Sequence, residues 1–260
     1  MRIARFTTGE DPRYAVVQTD ESSGAEVLAV ITGDPIYTPV QFTGELVPLE
    51  QARLLAPVIP RSKVVGIGRN YAAHAAELGN EVPEEPLAFL KPNTSVIGPG
   101  DPIVIPPQSR NVHYEGELAV VIGRLCRDVP RERVAEVILG YTCANDVTAR
   151  DLQGPDKQWW RAKGFDTFCP LGPYLVTGLD PADLRVTTRL DGATVQDGRT
   201  SLMIFDVATL VMHVSAAMTL LPGDVILTGT PEGVGQMRAG QRVEVEIEGI
   251  GVLSNPVVER

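Results

Sequence analysis

Three acidic side chains offer the most direct chemistry in this sequence. The run His113-Tyr114-Glu115-Gly116-Glu117-Leu118 opens a strand-like segment. Side chains alternate faces along a strand, so Glu115 and Glu117 point the same way with His113 beside them. Two like charges on one face repel, and nothing next to them in the sequence neutralises them. A shared divalent cation resolves the conflict, and Gly116 between them leaves room for a ligand or another backbone. An E-x-E pair alone equally describes a solvent-facing acidic strand edge, so a third ligand matters. Asp146 ends the strand-like ILGYTCA and leads into a polar segment, a place from which a neighbouring strand can present a carboxylate. Taken by itself, that aspartate reads as a cap on the following turn.

Hard carboxylate oxygens, with no cysteine and few histidines nearby, favour Mg²⁺, Mn²⁺ or Ca²⁺ over Zn²⁺. Three carboxylates fill only part of an octahedral shell and leave positions for water and two substrate oxygens, as a catalytic site requires. Three carboxylates and one dication sum to a negative charge, so an anion needs a further base beside them. Lys163, in RAKGFDT, is the natural candidate. The glycine-rich loop LTGTPEGVG lacks the G-K-[S/T] of a phosphate loop. It can instead offer backbone N–H groups, Gly229 among them, and the Thr230 hydroxyl to a substrate carboxylate.

The elements that must position these groups are mostly strands. Residues 1–58 form a turn-rich β segment, and Ala56-Pro57-Val58-Ile59-Pro60 reads as a connector to a second unit over 59–260. KVVGIG is a short strand running into a helix over YAAHAAELG, with Asn70 as its N-cap and Gly79 just past its end. A proline-rich passage follows, excluding long helices and central strands. Then come the strand VHYEGELAVVIG, an amphipathic helix over RERVAEVILG, the strand YTCAND, and a polar stretch from Val147 to Thr167. SLMIFDVATLVMHVSAAMTLL is the longest helix candidate, with Leu202, Phe205, Leu210, Met212 and Ala217 among its apolar positions; it stops at the turn Pro222-Gly223-Asp224. RVEVEIEGIGVL closes the chain as strand, turn and strand. Few helices among many strands, without regular βαβ alternation, indicate an α+β fold.

Six strings in this order, GRNYAAHAAELG, FLKPNTSVIGPG, VHYEGELAVVIG, NDVTARDLQ, AKGFDTFCPLGP and LTGTPEGVG, resemble the fumarylacetoacetate hydrolase superfamily. The likeness runs from about Lys63 to the C-terminus; the first 60 residues carry little of it, although similar bacterial members have a small N-terminal domain there. The resemblance implies a strand-rich mixed β-roll or barrel-like fold, usually dimeric. It places metal ligands on Glu115, Glu117 and Asp146, and substrate-contacting or charge-stabilising roles on Gln153, Lys163 and Thr230. It also implies a water-orienting His-x-x-Glu pair on a short lid helix, matching His74 and Glu77. The residues agree with that pairing. Spaced i, i+3, the two share a helix face, and the carboxylate can fix the imidazole tautomer. Arg69, just before this helix, is the candidate for a second substrate carboxylate.

Composition excludes other classes. The chain is 43% hydrophobic and 22% charged, as folded globular proteins are. Its formal charge of −10 repels phosphate backbones, so nucleic acid is not an expected partner. No apolar run is long enough for a spanning helix, and no signal peptide is evident. The three cysteines form no C-x-x-C, so the chain reads as a cytoplasmic protein without a disulfide framework or structural zinc. Gly66-Ile67-Gly68 between strand and helix invites a dinucleotide reading, but Tyr71 stands where a third glycine is needed. Trp159-Trp160 reads as packing, over the site or at a subunit contact. The expected function is metal-dependent action on a small 2-oxo or 1,3-dicarbonyl acid through an enolate. Acylpyruvate-type C–C hydrolysis and isomerisation of 2-hydroxyhepta-2,4-diene-1,7-dioate lead, with oxaloacetate decarboxylation as the alternative. A non-catalytic metal- or metabolite-binding protein is the alternative of another class; it has no reason to keep a base dyad and a lysine together.

Overall fold

The computed structural model describes residues 1–21 and 23–260. The chain opens with strands β1 (Arg2–Thr7), β2 (Arg13–Thr19), β3 (Glu26–Ile31), β4 (Phe42–Pro48) and β5 (Arg53–Leu55). After the proline-flanked connector come β6 (Val64–Gly68), helix α1 (Ala72–Glu77), β7 (Leu87–Lys91), β8 (Val96–Ile97) and β9 (Ile103–Ile105). The central stretch holds β10 (Val112–Tyr114), β11 (Gly116–Ile122), the single turn α2 (Val134–Val137), β12 (Ile138–Asn145) and β13 (Thr148–Ala149). Helices α3 (Arg150–Asp156) and α4 (Trp160–Gly164) lead to β14 (Cys169–Val176), β15 (Arg185–Leu190) and β16 (Ala193–Arg199). Helix α5 (Val207–Ala217), β17 (Val225–Leu227), β18 (Gly235–Gln236), β19 (Arg242–Ile247) and β20 (Gly251–Glu259) complete it.

Three open sheets result, and the fold is a strand-rich α+β roll rather than a closed barrel. A 12-stranded sheet runs β4-β3-β2-β1-β14-β12-β11-β17-β6-β7, with β5 added on β1 and β8 on β14. A five-stranded sheet runs β16-β15-β19-β20-β9, and a small one pairs β13-β10-β18. Strand β11 lies inside the large sheet and is buried along its whole length. Leu118, Val120 and Ile122 join one apolar cluster with Val245, Ile247 and Leu253; Ala119 and Val121 join another with Leu171, Leu175 and Leu227. A strand apolar on both sides, as GELAVVI is, suits this sandwiched position.

Several local expectations need correction. The run over 112–123 is two strands: β10 belongs to the small sheet and β11 to the large one, with Glu115 at the break. Gly116 makes the crossing possible, since a Cβ there would meet Thr188 Oγ1 at 2.1 Å. The helix expected over RERVAEVILG is a single turn, and β12 starts at Ile138. The polar stretch after Val147 holds two helices, α3 with Pro155 inside it. Asn70 does not cap α1. It is buried, its amide donates to the Phe205 carbonyl (3.0 Å) and the Thr228 carbonyl (2.7 Å), and its oxygen accepts from Phe205 N–H (2.8 Å). Gly79 sits past the end of α1 with φ +67°, as read from the sequence. Helix α5 is shorter than its apolar run: Asp206 caps it by accepting from Thr209 N–H, which leaves Leu202 and Phe205 outside, and Ala217 is exposed. No helix among the described residues is long and apolar enough to cross a membrane.

Candidate active site

The break between β10 and β11 leaves Glu115 between two sheets. Its N–H donates to Asn145 Oδ1 (2.9 Å), and Asp146 N–H donates to the Glu115 carbonyl (2.8 Å). These bonds tie the end of β12 to the break, so Asp146 arrives beside Glu115. Glu117 follows on β11, and its carboxylate accepts the Gly229 N–H at 2.7 Å. Gly229 has φ +96°, and a Cβ there would press on Asn70 Cβ at 2.7 Å, so the loop needs glycine at this point. The Glu115, Glu117 and Asp146 carboxylates are all buried, and one oxygen from each lies within 4.8 Å of the others.

Two buried cations, Lys163 and Lys91, and the partly buried Arg150 lie with them, two more than the sequence suggested. Lys163 Nζ donates to Glu115 Oε2 and Asp146 Oδ2, both at 2.6 Å. Lys91 Nζ donates to Asp146 Oδ1 at 2.5 Å, and Arg150 pairs with Glu115 while donating to Gln153 Oε1 at 2.7 Å. With every group ionised the cluster is neutral rather than negative. Burial alone would raise the Glu115 carboxyl, but Lys163 and Arg150 outweigh it and hold the pKa low. Burial also opposes the Lys163 ammonium, yet Asp146 and Glu115 keep its pKa raised. Glu117 goes the other way: burial, then the Asp146 and Glu115 charges, push it well above the usual carboxylate range.

A cavity of about 190 Å³ opens over this cluster, lined among others by Arg69, His74, Glu115, Glu117, Gln153, Trp159, Lys163 and Thr230. Of the singled-out residues, Arg69, His74, Glu115, Glu117, Gln153, Lys163 and Thr230 line the cavity, whereas Asp146, Glu77, Gly229 and His113 do not. His74 is buried on α1, and its Nδ1 lies 3.4 Å from Glu77 Oε2. Glu77 is itself held by the Gly233 N–H, at 3.2 Å to each oxygen. Within the chain, the LTGTPEGVG loop gives its Gly229 and Gly233 N–H groups to the Glu117 and Glu77 carboxylates. Thr230 lines the cavity, yet its hydroxyl donates to the Gly116 carbonyl (2.9 Å) and accepts from Gln196 (2.8 Å). Burial, reinforced by Arg150, lowers the His113 pKa to about 4, and this ring faces Asn111 rather than the cavity.

Lys91 and Arg150 were missed because a lone basic residue in a sequence reads as solvated surface. The proline on either side of LAFLK was the available signal, since it marks a short strand ending at Lys91.

The donor set fits a hard dication. Oxygens at roughly 2.0–2.6 Å from one ion stand no more than about 5 Å apart, and the Lys163 ammonium already bridges two of the three carboxylates as a stand-in cation.

Residues 63–258 match the fumarylacetoacetate hydrolase C-terminal family, and residues 1–57 match the Rv2993c-like N-terminal family. The chain is 52% identical to the structure of 5-carboxymethyl-2-hydroxymuconate delta-isomerase from Mycobacterium smegmatis, with a TM-score of 0.92 and full coverage of both chains. Maleylpyruvate hydrolase from Sphingobium sp. SYK-6, solved with manganese(II) and pyruvate, is 34% identical with a TM-score of 0.81, covering 100% of this chain and 99% of that one. Oxaloacetate tautomerase Fahd2a of Rattus norvegicus is 44% identical over 99% of this chain and 92% of its own length. The chain belongs to the fumarylacetoacetate hydrolase family, whose relatives named here are isomerases, hydrolases and tautomerases.

Proposed function

We propose that this enzyme uses a divalent cation, Mg²⁺ or Mn²⁺, to move a proton on a small 2-oxo dicarboxylic acid, interconverting its keto and enol forms. One observation carries the reading: three buried carboxylates converge below a cavity that also holds a dyad-supported imidazole and a buried ammonium. Glu115, Glu117 and Asp146 would hold the ion. When bound, it would supply Lewis acidity at the substrate's carboxylate and adjacent oxygen. The protein's own groups do the rest. Lys163 puts positive charge beside the oxygen at which negative charge develops. Glu77, fixed by the Gly233 N–H, faces His74 Nδ1 and leaves Nε2 to take a proton from the carbon next to the carbonyl and return it. Cavity charge favours a doubly negative substrate, since a neutral cluster plus a dication is left with +2.

The relatives support this choice: an isomerase and a tautomerase both shift protons along an oxo acid. A second reading, C–C hydrolysis of an acylpyruvate, is favoured by the same His–Glu dyad, which can equally orient water, and by the maleylpyruvate hydrolase. The deciding experiment is a Mg²⁺/Mn²⁺ activity screen on oxaloacetate, 2-hydroxyhepta-2,4-diene-1,7-dioate, acetylpyruvate and fumarylpyruvate, with products weighed by mass spectrometry. An unchanged mass with enol loss is expected. Two smaller acids whose masses sum to substrate plus one water indicate hydrolysis, and a loss of CO₂ indicates decarboxylation. Ion binding with no turnover of any acid would leave a non-catalytic metabolite-binding protein and overturn the proposal. A homodimer is proposed with it, to be checked by sedimentation.

A further inference from the structure

Arg69 stands apart from the other cations around the cavity. Lys163 and Arg150 are both paired with carboxylates of the cluster. Arg69 lines the same cavity, is half-buried, and among the described residues makes no ion pair and no side-chain hydrogen bond. In a chain with 33 acids and 23 bases, acidic partners are plentiful, so an unpaired guanidinium in a cavity is conspicuous.

Its placement is also enforced. Arg69 has φ +58°, the left-handed conformation that costs a non-glycine residue of order 1 kcal/mol or more. Its guanidinium lies over the Trp159 ring, 6.0 Å from the centroid. Trp159 is in turn seated edge-on against Phe89, with centroids 5.6 Å apart. Gly68 makes room for that ring: a Cβ there would meet Trp159 Cζ3 at 2.7 Å. The glycines that mimic a dinucleotide motif therefore serve aromatic packing, and the Trp159 half of the tryptophan pair supports a cation. Stacking on the ring steadies the guanidinium without using up its N–H donors.

We infer that Arg69, held on Trp159, receives the second carboxylate of the substrate and so sets the enzyme's preference for 2-oxo dicarboxylic over 2-oxo monocarboxylic acids. The inference rests on the proposed oxo-acid chemistry for the first carboxylate. A guanidinium fork matches a carboxylate with two parallel hydrogen bonds, which an ammonium cannot do.

Binding tests it independently of turnover. Calorimetry with Mg²⁺-loaded protein compares L-malate with 2-hydroxybutanoate, a pair of stable 2-hydroxy acids differing in the distal carboxylate. Arg69→Gln is expected to lower the ratio of their affinities by about 10- to 100-fold, the size of a lost charge-assisted pair. Arg69→Lys restores part of the ratio, because charge returns without the fork. Trp159→Leu gives an intermediate ratio, with the charge kept but its support removed. An unchanged ratio in Arg69→Gln, with an unaltered melting temperature, overturns the assignment. A second arm follows C3 deuterium exchange on oxaloacetate and 2-oxobutanoate. If the wild type exchanges neither acid, the proposed reaction fails, while the affinity ratio still decides the role of Arg69.

Discussion

Replacing Lys163 with Met tests how the cluster is held together. The substitution keeps most of the side-chain volume and removes one ammonium that bonds to both Glu115 and Asp146 at 2.6 Å. Stripping one partner from a buried ion pair costs roughly 3–5 kcal/mol. Lys91 and Arg150 remain and hold one oxygen each of Asp146 and Glu115, so the lower end, about 3 kcal/mol, is expected here. For a domain of this size each kcal/mol moves the midpoint by roughly 2–4 °C, which makes the shift about 6–12 °C in the presence of a chelator. Thermal unfolding followed by circular dichroism reads it directly. Excess Mn²⁺ should then raise the variant's midpoint more than the wild type's, because no ammonium competes for the same oxygens, while activity stays absent. A chelated variant melting within about 2 °C of the wild type would refute this account of the buried charges. Equal Mn²⁺ gains in the two proteins would refute the idea that ion and ammonium share a position.

Two further outcomes follow from the geometry. Burial, then the Asp146 and Glu115 charges, raise the Glu117 pKa well above the usual carboxylate range; a group with a raised folded pKa stabilises the ion-free protein below its ordinary pKa and loses that contribution as pH rises through the raised value. An ion bound by this carboxylate competes with its proton, so affinity should climb with pH, and calorimetry in two buffers of different ionisation heat should show net proton release; no release would contradict the assignment. Asn70→Ala leaves two carbonyls and one N–H buried without their partner. Urea unfolding should show a loss of about 3 kcal/mol or more, and a loss below about 1 kcal/mol would mean that the strand–loop junction does not depend on it.

The meeting of Glu115, Glu117 and Asp146 was legible in the sequence for a reason only partly correct. Alternation along one strand put Glu115 and Glu117 on a common face, whereas the structure breaks the strand at Glu115. What makes the break is distant: Gln196 Oε1 accepts the Gly116 N–H at 3.0 Å, and Thr188 fills the space over its Cα. No local pattern announces partners 70 to 80 residues away. The same limit hid the role of Asn70, whose type and position before a helix satisfy the rules for a cap. Helices α3 and α4 went unread because DLQGPDK is polar and carries a glycine and a proline. The α+β class and most strand positions did follow from periodicity and turn residues, since those signals are local, whereas the order of strands in the sheets did not. That Gly229 and Gly233 of the glycine-rich loop hold the Glu117 and Glu77 carboxylates also lay beyond sequence, since those partners come from distant elements.

The N-terminal strands have a consequence beyond their own packing. Strand β1 bonds to β14 through Arg2–Val176 and Ile3–Leu175, and β14 bonds on its other side to β12, whose last residue precedes Asp146. The opening residues thus shield the flank of an entirely buried, eight-residue strand. Trimmed of them, the enzyme would present a bare hydrophobic ribbon edge to its own copies, and solubility would fail before chemistry did.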